Sequence, residues 1–146
     1  MYVKLGNPSR KNKAETIDIH NYDTWNMDIT LAYIIVPMLK QLKSTKQGSP
    51  FVDNEDVSDE LRASDEELHT YSKNGETDEK FFDRWDYVLD EMTFAFQSKL
   101  DENWDEQFFS NDILNGKFDK EGYGKYSDRI NNGFRLFGKY YNGLWD

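Results

Sequence analysis

Two stretches of this chain, Lys80 to Leu100 and Tyr123 to Trp145, place large apolar side chains at steps of three and four, and that spacing constrains the fold more than any other feature. In the second, Tyr123, Tyr126, Ile130, Phe134, Phe137, Tyr141 and Leu144 fall on one helical face. In the first, Phe81, Trp85, Val88, Leu89, Met92 and Phe96 do the same, while Asp83, Arg84, Asp86, Asp90 and Glu91 turn elsewhere. A helix with such a face has to bury it against another element. The 10 Phe, 9 Tyr and 4 Trp supply the bulk for that burial, since each ring covers on the order of 150–250 Å². At 146 residues the chain suits one domain spanning residues 1–146.

A third principal helix is expected from Trp25 towards Lys43, capped by Asp23 or Thr24, with Met27, Leu31, Ile34, Ile35, Met38, Leu39 and Leu42 as a broad apolar stripe. Pro37 lies inside it and predicts a kink near Tyr33 to Val36, or two shorter helices, because proline removes one helical hydrogen bond. Met1 to Leu5 and Thr16 to His20 read as short strands joined through Gly6, Asn7 and Pro8, an N-terminal β-ribbon over residues 1–20. Lys43 to Glu79 reads as a long acidic loop, with a short helix within Asp59 to His69. The expected class is therefore mainly α (α+β): three principal helices, a short N-terminal β-hairpin and long acidic loops. Gly133, Gly138 and Gly143 recur every five residues in the last pattern, where glycine admits a ligand or another backbone at close range.

Charge is distributed unevenly. Lys4, Arg10, Lys11 and Lys13 form a basic island with no acid among residues 1–13, whereas Asp53 to Glu91 holds 15 acids against 4 bases, in a chain of net charge -10. Such a field repels a duplex DNA backbone over most of the surface. The acidic block reads either as a solvated face or as a surface for a basic partner. No apolar run reaches the about 18 residues of a membrane span, and Met1 to Lys13 lacks the apolar stretch of a secretory signal. The expected compartment is a cytoplasm. With no cysteine, disulfides, thiolate catalysis and cysteine-held zinc are excluded.

Four runs carry a resemblance: Tyr22-Asp23-Thr24-Trp25-Asn26-Met27-Asp28, Pro37-Met38-Leu39-Lys40-Gln41-Leu42-Lys43, Arg84-Trp85-Asp86-Tyr87-Val88-Leu89-Asp90-Glu91-Met92 and Phe134-Arg135-Leu136-Phe137-Gly138-Lys139-Tyr140-Tyr141. Together they make the chain similar, over nearly its whole length, to a family of small proteins encoded by tailed bacteriophages, a family that brings no established reaction or catalytic residues with it. The resemblance implies a viral accessory protein acting in the cytoplasm of an infected bacterial host, in a class rich in inhibitors of host enzymes and in proteins that sequester host immune signals.

The residues offer little catalysis. There is no phosphate-binding glycine loop and no Gly-x-Ser-x-Gly elbow. Glu66 and His69 share a Glu-x-x-His spacing, but a di-iron bundle needs a second copy, which is missing. Asp23, Asp28, Asp86, Asp90 and Glu91 could gather round magnesium for nucleotide hydrolysis, although paired-acid motifs are absent. No metal and no cofactor are expected. Cations and rings support binding better. Arg10, Lys11, Lys13, Arg84, Arg129, Arg135 and Lys139 can neutralise phosphate, Trp25 and Tyr140 can stack on a base, and His20 stands near the basic loop. Arg135 and Lys139 are four apart and share a face of the last helix. The leading expectation is non-catalytic, anti-defence sequestration of a small nucleotide-derived host signal by a homo-oligomer. The alternative is an acidic protein that binds and inhibits a basic host enzyme.

Overall fold

The computed structural model describes residues 18–109 and 116–146, and over them the chain is helical. Five α-helices succeed one another: α1 Asn21–Trp25, α2 Met27–Thr45, α3 Asp65–Asn74, α4 Phe81–Gln97 and α5 Lys120–Lys139. The β-hairpin is a correction. Residues 18–20 carry no strand, and the described residues hold no sheet, only an isolated bridge between Phe109 and Phe118. His20 belongs to a helix start instead: its amide donates to Asp23 Oδ2 at 2.9 Å and its carbonyl accepts from the Asp23 amide at 2.9 Å, which are the contacts of a helix cap. The remainder of the expected ribbon, residues 1–17, lies outside the described residues.

Helix α4 is the centre of the molecule, with α2 and α5 antiparallel to it on either side. Asp28 pairs with Lys99 and Lys46 with Asp86 at the two ends of α2, and Phe94 meets Tyr126 while Trp85 meets Tyr140 along α5. The core between them is built from Ala32, Val36 and Leu39 of α2, Trp85, Val88, Leu89, Met92 and Phe96 of α4, and Leu136 and Tyr140 from α5 and its end. On α4 this is the face that the three-and-four spacing marks; on α5 the buried residues are Gly133 and Leu136, beside the expected face, whose Phe134 and Phe137 pack partly buried against the core while Tyr123 and Tyr141 stay exposed. Gly133 lets the two helices close: a Cβ there would stand 2.4 Å from the Glu91 carbonyl oxygen and 2.5 Å from Ala95 Cβ. The approach that glycine permits is thus made by a neighbouring backbone.

Two further expectations change. Pro37 does not divide α2 into two shorter helices: the helix is continuous from Met27 to Thr45. Pro37 and Tyr33, whose carbonyl loses its helical donor, are both exposed residues of α2. The break falls at Asn26 (φ -123°, ψ 60°), which sets α1 apart from α2 and leaves Trp25 outside the core at 72% exposure.

The acidic segment is tied down by local rules. Val52, Val57 and Ala63 are buried, and the Asn54 side chain bonds both the Ala63 carbonyl and the Ala63 amide at 2.8 Å. Ser64 and Glu67 form the capping box that starts α3, and Gly75, at φ 74°, ends it in the left-handed region where glycine avoids a Cβ clash. Stacked rings Phe51, Tyr71 and Phe81 then attach α3 to the start of α4, with centroids 4.9 and 5.5 Å apart.

Candidate functional site

The cations that the sequence marks for phosphate are gathered by carboxylates. Asp56, whose side chain is wholly buried, accepts from Arg135 Nη2 at 2.5 Å, Lys139 Nζ at 2.5 Å and the Tyr140 hydroxyl at 2.6 Å. Tyr140 in turn accepts from the Asp53 amide at 3.0 Å. Arg135, Lys139 and Tyr140 are thus brought together, as their spacing implies, but round a carboxylate some 80 positions earlier in the chain. Burial alone would push the Asp56 carboxyl up; the hydrogen bonds from Lys139, Tyr140 and Arg135 outweigh it and hold the group below the usual carboxylate range. The same burial, with the bond to Asp56, pushes the Tyr140 phenol up to about 12. Lys139 is held above the usual lysine range by Asp53 and Asp56.

Asp53, Glu55 and Asp56 bring ligand oxygens within 4.8 Å of one another, the one such acidic group among the described residues. Lys139 Nζ already stands there, at 2.8, 3.1 and 2.5 Å from the three. The ammonium is the counter-cation of this cluster. Asp23, Asp28, Asp86, Asp90 and Glu91 do not assemble; Asp28, Asp86, Asp90 and Glu91 pair separately with Lys99, Lys46, Lys43 and Arg129. Glu66 and His69 are exposed on α3 and belong to no metal-competent group among the described residues.

The other nominated residues are dispersed. Arg84 is buried on α4, where it donates to the Leu61 carbonyl at 3.0 Å and pairs with Asp78. Arg129 forks onto Glu91 at 3.0 and 2.8 Å and lies 3.6 Å over the Phe94 ring, a geometry that combines a bidentate ion pair with a cation–π contact. His20 is exposed at the start of α1, and among the described residues the one aromatic ring that Trp25 meets is Tyr22, edge-on at 4.6 Å. Arg10, Lys11 and Lys13 lie outside the described residues.

The concave surfaces are poor hosts for an anion. A cavity of about 540 Å³ is walled by Trp104, Tyr123, Tyr126 and Phe134, but its rim sets Asp28, Asp101 and Glu102 against Lys99. A cleft of about 670 Å³ holds Lys40, Lys125 and Arg129 beside Asp90 and Asp101, and Lys125 and Arg129 are paired with Glu121 and Glu91. The acidic side is different. Glu60, Asp65, Glu66, Glu67, Glu76, Glu79 and Asp83 are exposed and form no ion pair among the described residues. Glu66, Glu67, Glu76, Asp78 and Glu79 line a cleft of about 360 Å³ between α3 and the loop before α4. No family model, curated protein or solved structure matches the chain.

Proposed function

We propose that this protein acts without catalysis, by docking its acidic face onto a basic surface of another protein. The observation that carries the reading is an asymmetry of neutralisation. Arg84, Arg129, Arg135 and Lys139 each engage a carboxylate within the fold, while seven carboxylates from Glu60 to Asp83 face water without an ion pair. The described cations nominated for phosphate are already paired, so nucleotide capture by them would have to displace a carboxylate. Docking of a basic surface needs only what is free, and an uncompensated acidic face speeds encounter with such a partner. Following the resemblance to phage-encoded proteins, the expected partner is a bacterial host enzyme and the expected compartment is the host cytoplasm.

The test is capture of partners by the tagged, full-length protein from bacterial extract, compared with a Glu66→Lys, Glu76→Lys, Glu79→Lys variant at about 0.05 and 0.5 M salt. Contacts between exposed charges are screened over about 10 Å at 0.1 M, so a basic partner is expected to be retained at low salt and lost both at high salt and by the variant. Retention that ignores the reversed charges overturns the reading. A thermal shift with a cyclic dinucleotide or ADP-ribose that Arg135→Ala abolishes would restore nucleotide capture, since a ligand of the native state raises its melting temperature.

A further inference from the structure

Helix α2 is apolar on two sides. Ala32, Val36 and Leu39 face α4 and are 0%, 5% and 3% exposed. Met27, Leu31, Ile34 and Met38 follow one another at steps of four, three and four, the spacing of a helix-packing seam. At 100° per residue that second stripe lies more than a third of a turn round from the first. The described residues leave it largely uncovered: Ile34 is half-buried, but Met27 is 54%, Leu31 40% and Met38 55% exposed. It runs on into an apolar groove of about 690 Å³ in which Ile35, Leu42, Phe137, Tyr141 and Trp145 also take part.

The size of this surface sets the kind of occupant. From the fractional exposures, and the on the order of 150–250 Å² that a large ring can bury, the stripe and groove offer roughly 700 Å². That exceeds the about 300–600 Å² of the largest patch on a typical monomer and approaches the about 800 Å² per partner of a standard interface. Charge narrows the choice further. The stripe holds no charged side chain, and the nearby Asp28 and Lys43 are directed to Lys99 and Asp90 of the same chain. The groove adds one charged residue, Asp146, so a charged partner finds little to pair with along the stripe.

We infer that this face joins two copies of the chain, packed α2 against α2 in antiparallel fashion about a two-fold axis between Ile34 and Ile35. In that register Leu31 of one copy lies opposite Met38 of the other, and Met27 opposite Leu42, so apolar side chains meet along the whole seam. The antiparallel sense also opposes the two helix dipoles and brings the Asp28 end of one α2 towards the Lys40, Lys43 and Lys46 end of the other. A parallel pair would bring the acidic ends together. Such an interface is isologous and closes at two copies. It leaves the acidic face over α3 free.

Light scattering after size exclusion, from about 1 to 200 µM, tests the pairing on the full chain. The expected mass is twice 17.3 kDa. Leu31→Glu and Met38→Glu, at exposed positions that the monomer fold does not need, should weaken the dimer roughly 100-fold or more, because each buries two unpaired charges. Tyr33→Glu lies on another side of α2, is 58% exposed in the wild type, and should leave the dimer intact. With no native cysteine, Leu31→Cys mixed with Met38→Cys should form a disulfide-linked pair, and Leu31→Cys alone should not. A monomer at every concentration overturns the inference, including the case in which residues 1–17 cover the groove. A dimer that survives both glutamate variants overturns it as well.

Discussion

Helices α2 and α5 flank the same central helix, yet they meet it in different ways. α5 is finished: Leu136 is fully buried, Gly133 brings its backbone against Glu91 and Ala95, and Arg129, Arg135 and Lys139 each end on a carboxylate. α2 is half finished: it buries Ala32, Val36 and Leu39 and exposes Met27, Leu31 and Met38. A helix that is apolar all round is ordinarily buried all round. The difference separates side chains that hold this fold together from side chains whose apolar character the fold does not use.

The largest effect is expected where α5 has no slack. Gly133→Val puts a side chain into the Glu91 carbonyl, so α4 and α5 must part; overpacking of this kind should cost about 4 kcal/mol of stability. Leu39→Ala, on the used side of α2, should cost about 3 kcal/mol through lost transfer energy and the cavity left behind. Chemical denaturation of both variants checks the order, and a Gly133→Val protein as stable as wild type would mean that the helices do not meet at this glycine.

Asp56→Asn comes next, at about 2 kcal/mol, less than for a fully enclosed ion pair because Arg135 and Lys139 remain 48% and 30% exposed and can turn to water. Its signature is pH dependence. The folded carboxyl of Asp56 is held below its ordinary value of 3.8, so its contribution is complete above about pH 4 and is lost as pH falls through the lower, folded value. Wild type should lose stability below pH 4 more steeply than Asp56→Asn, and parallel curves would deny Asp56 this role. Asp78, also held low in its pairing with Arg84, acts in the same direction and remains in both proteins.

These elements were unequally legible in the sequence. On α5 the period marks rings that flank the buried Gly133 and Leu136 and leaves Tyr123 and Tyr141 exposed, whereas the face of α4 could be read because its apolar residues follow one period and are buried together. Trp25 could not, since ring size suggests burial while α1 is only five residues long and sits outside the core. Arg135 and Lys139 could be read as a pair, but not their purpose. Their carboxylate, Asp56, stands in a block of 15 acids, where nothing local distinguishes the one that is buried, and a contact spanning some 80 positions has no sequence period. In α2 the two apolar stripes merged into one broad face. Helical spacing shows that residues share a side, not how many sides the chain itself will cover.

The smallest expected effect is the one that most sharpens the comparison. Met38→Gln removes an apolar side chain from α2, as Leu39→Ala does, and the two positions are adjacent in sequence. At 55% exposure, Met38 gives up little burial in the single chain, whereas Leu39, at 3%, gives up nearly all of its own. Under dilute conditions, where any association is negligible, Met38→Gln should therefore shift the unfolding free energy by no more than about 0.5 kcal/mol. At high concentration it should lower the melting temperature of the wild-type assembly, because a partner that binds only the native state stabilises it by mass action. A loss under dilute conditions as large as that of Leu39→Ala would mean that Met38 is covered by the chain's own residues, and the contrast between the two sides of α2 would disappear.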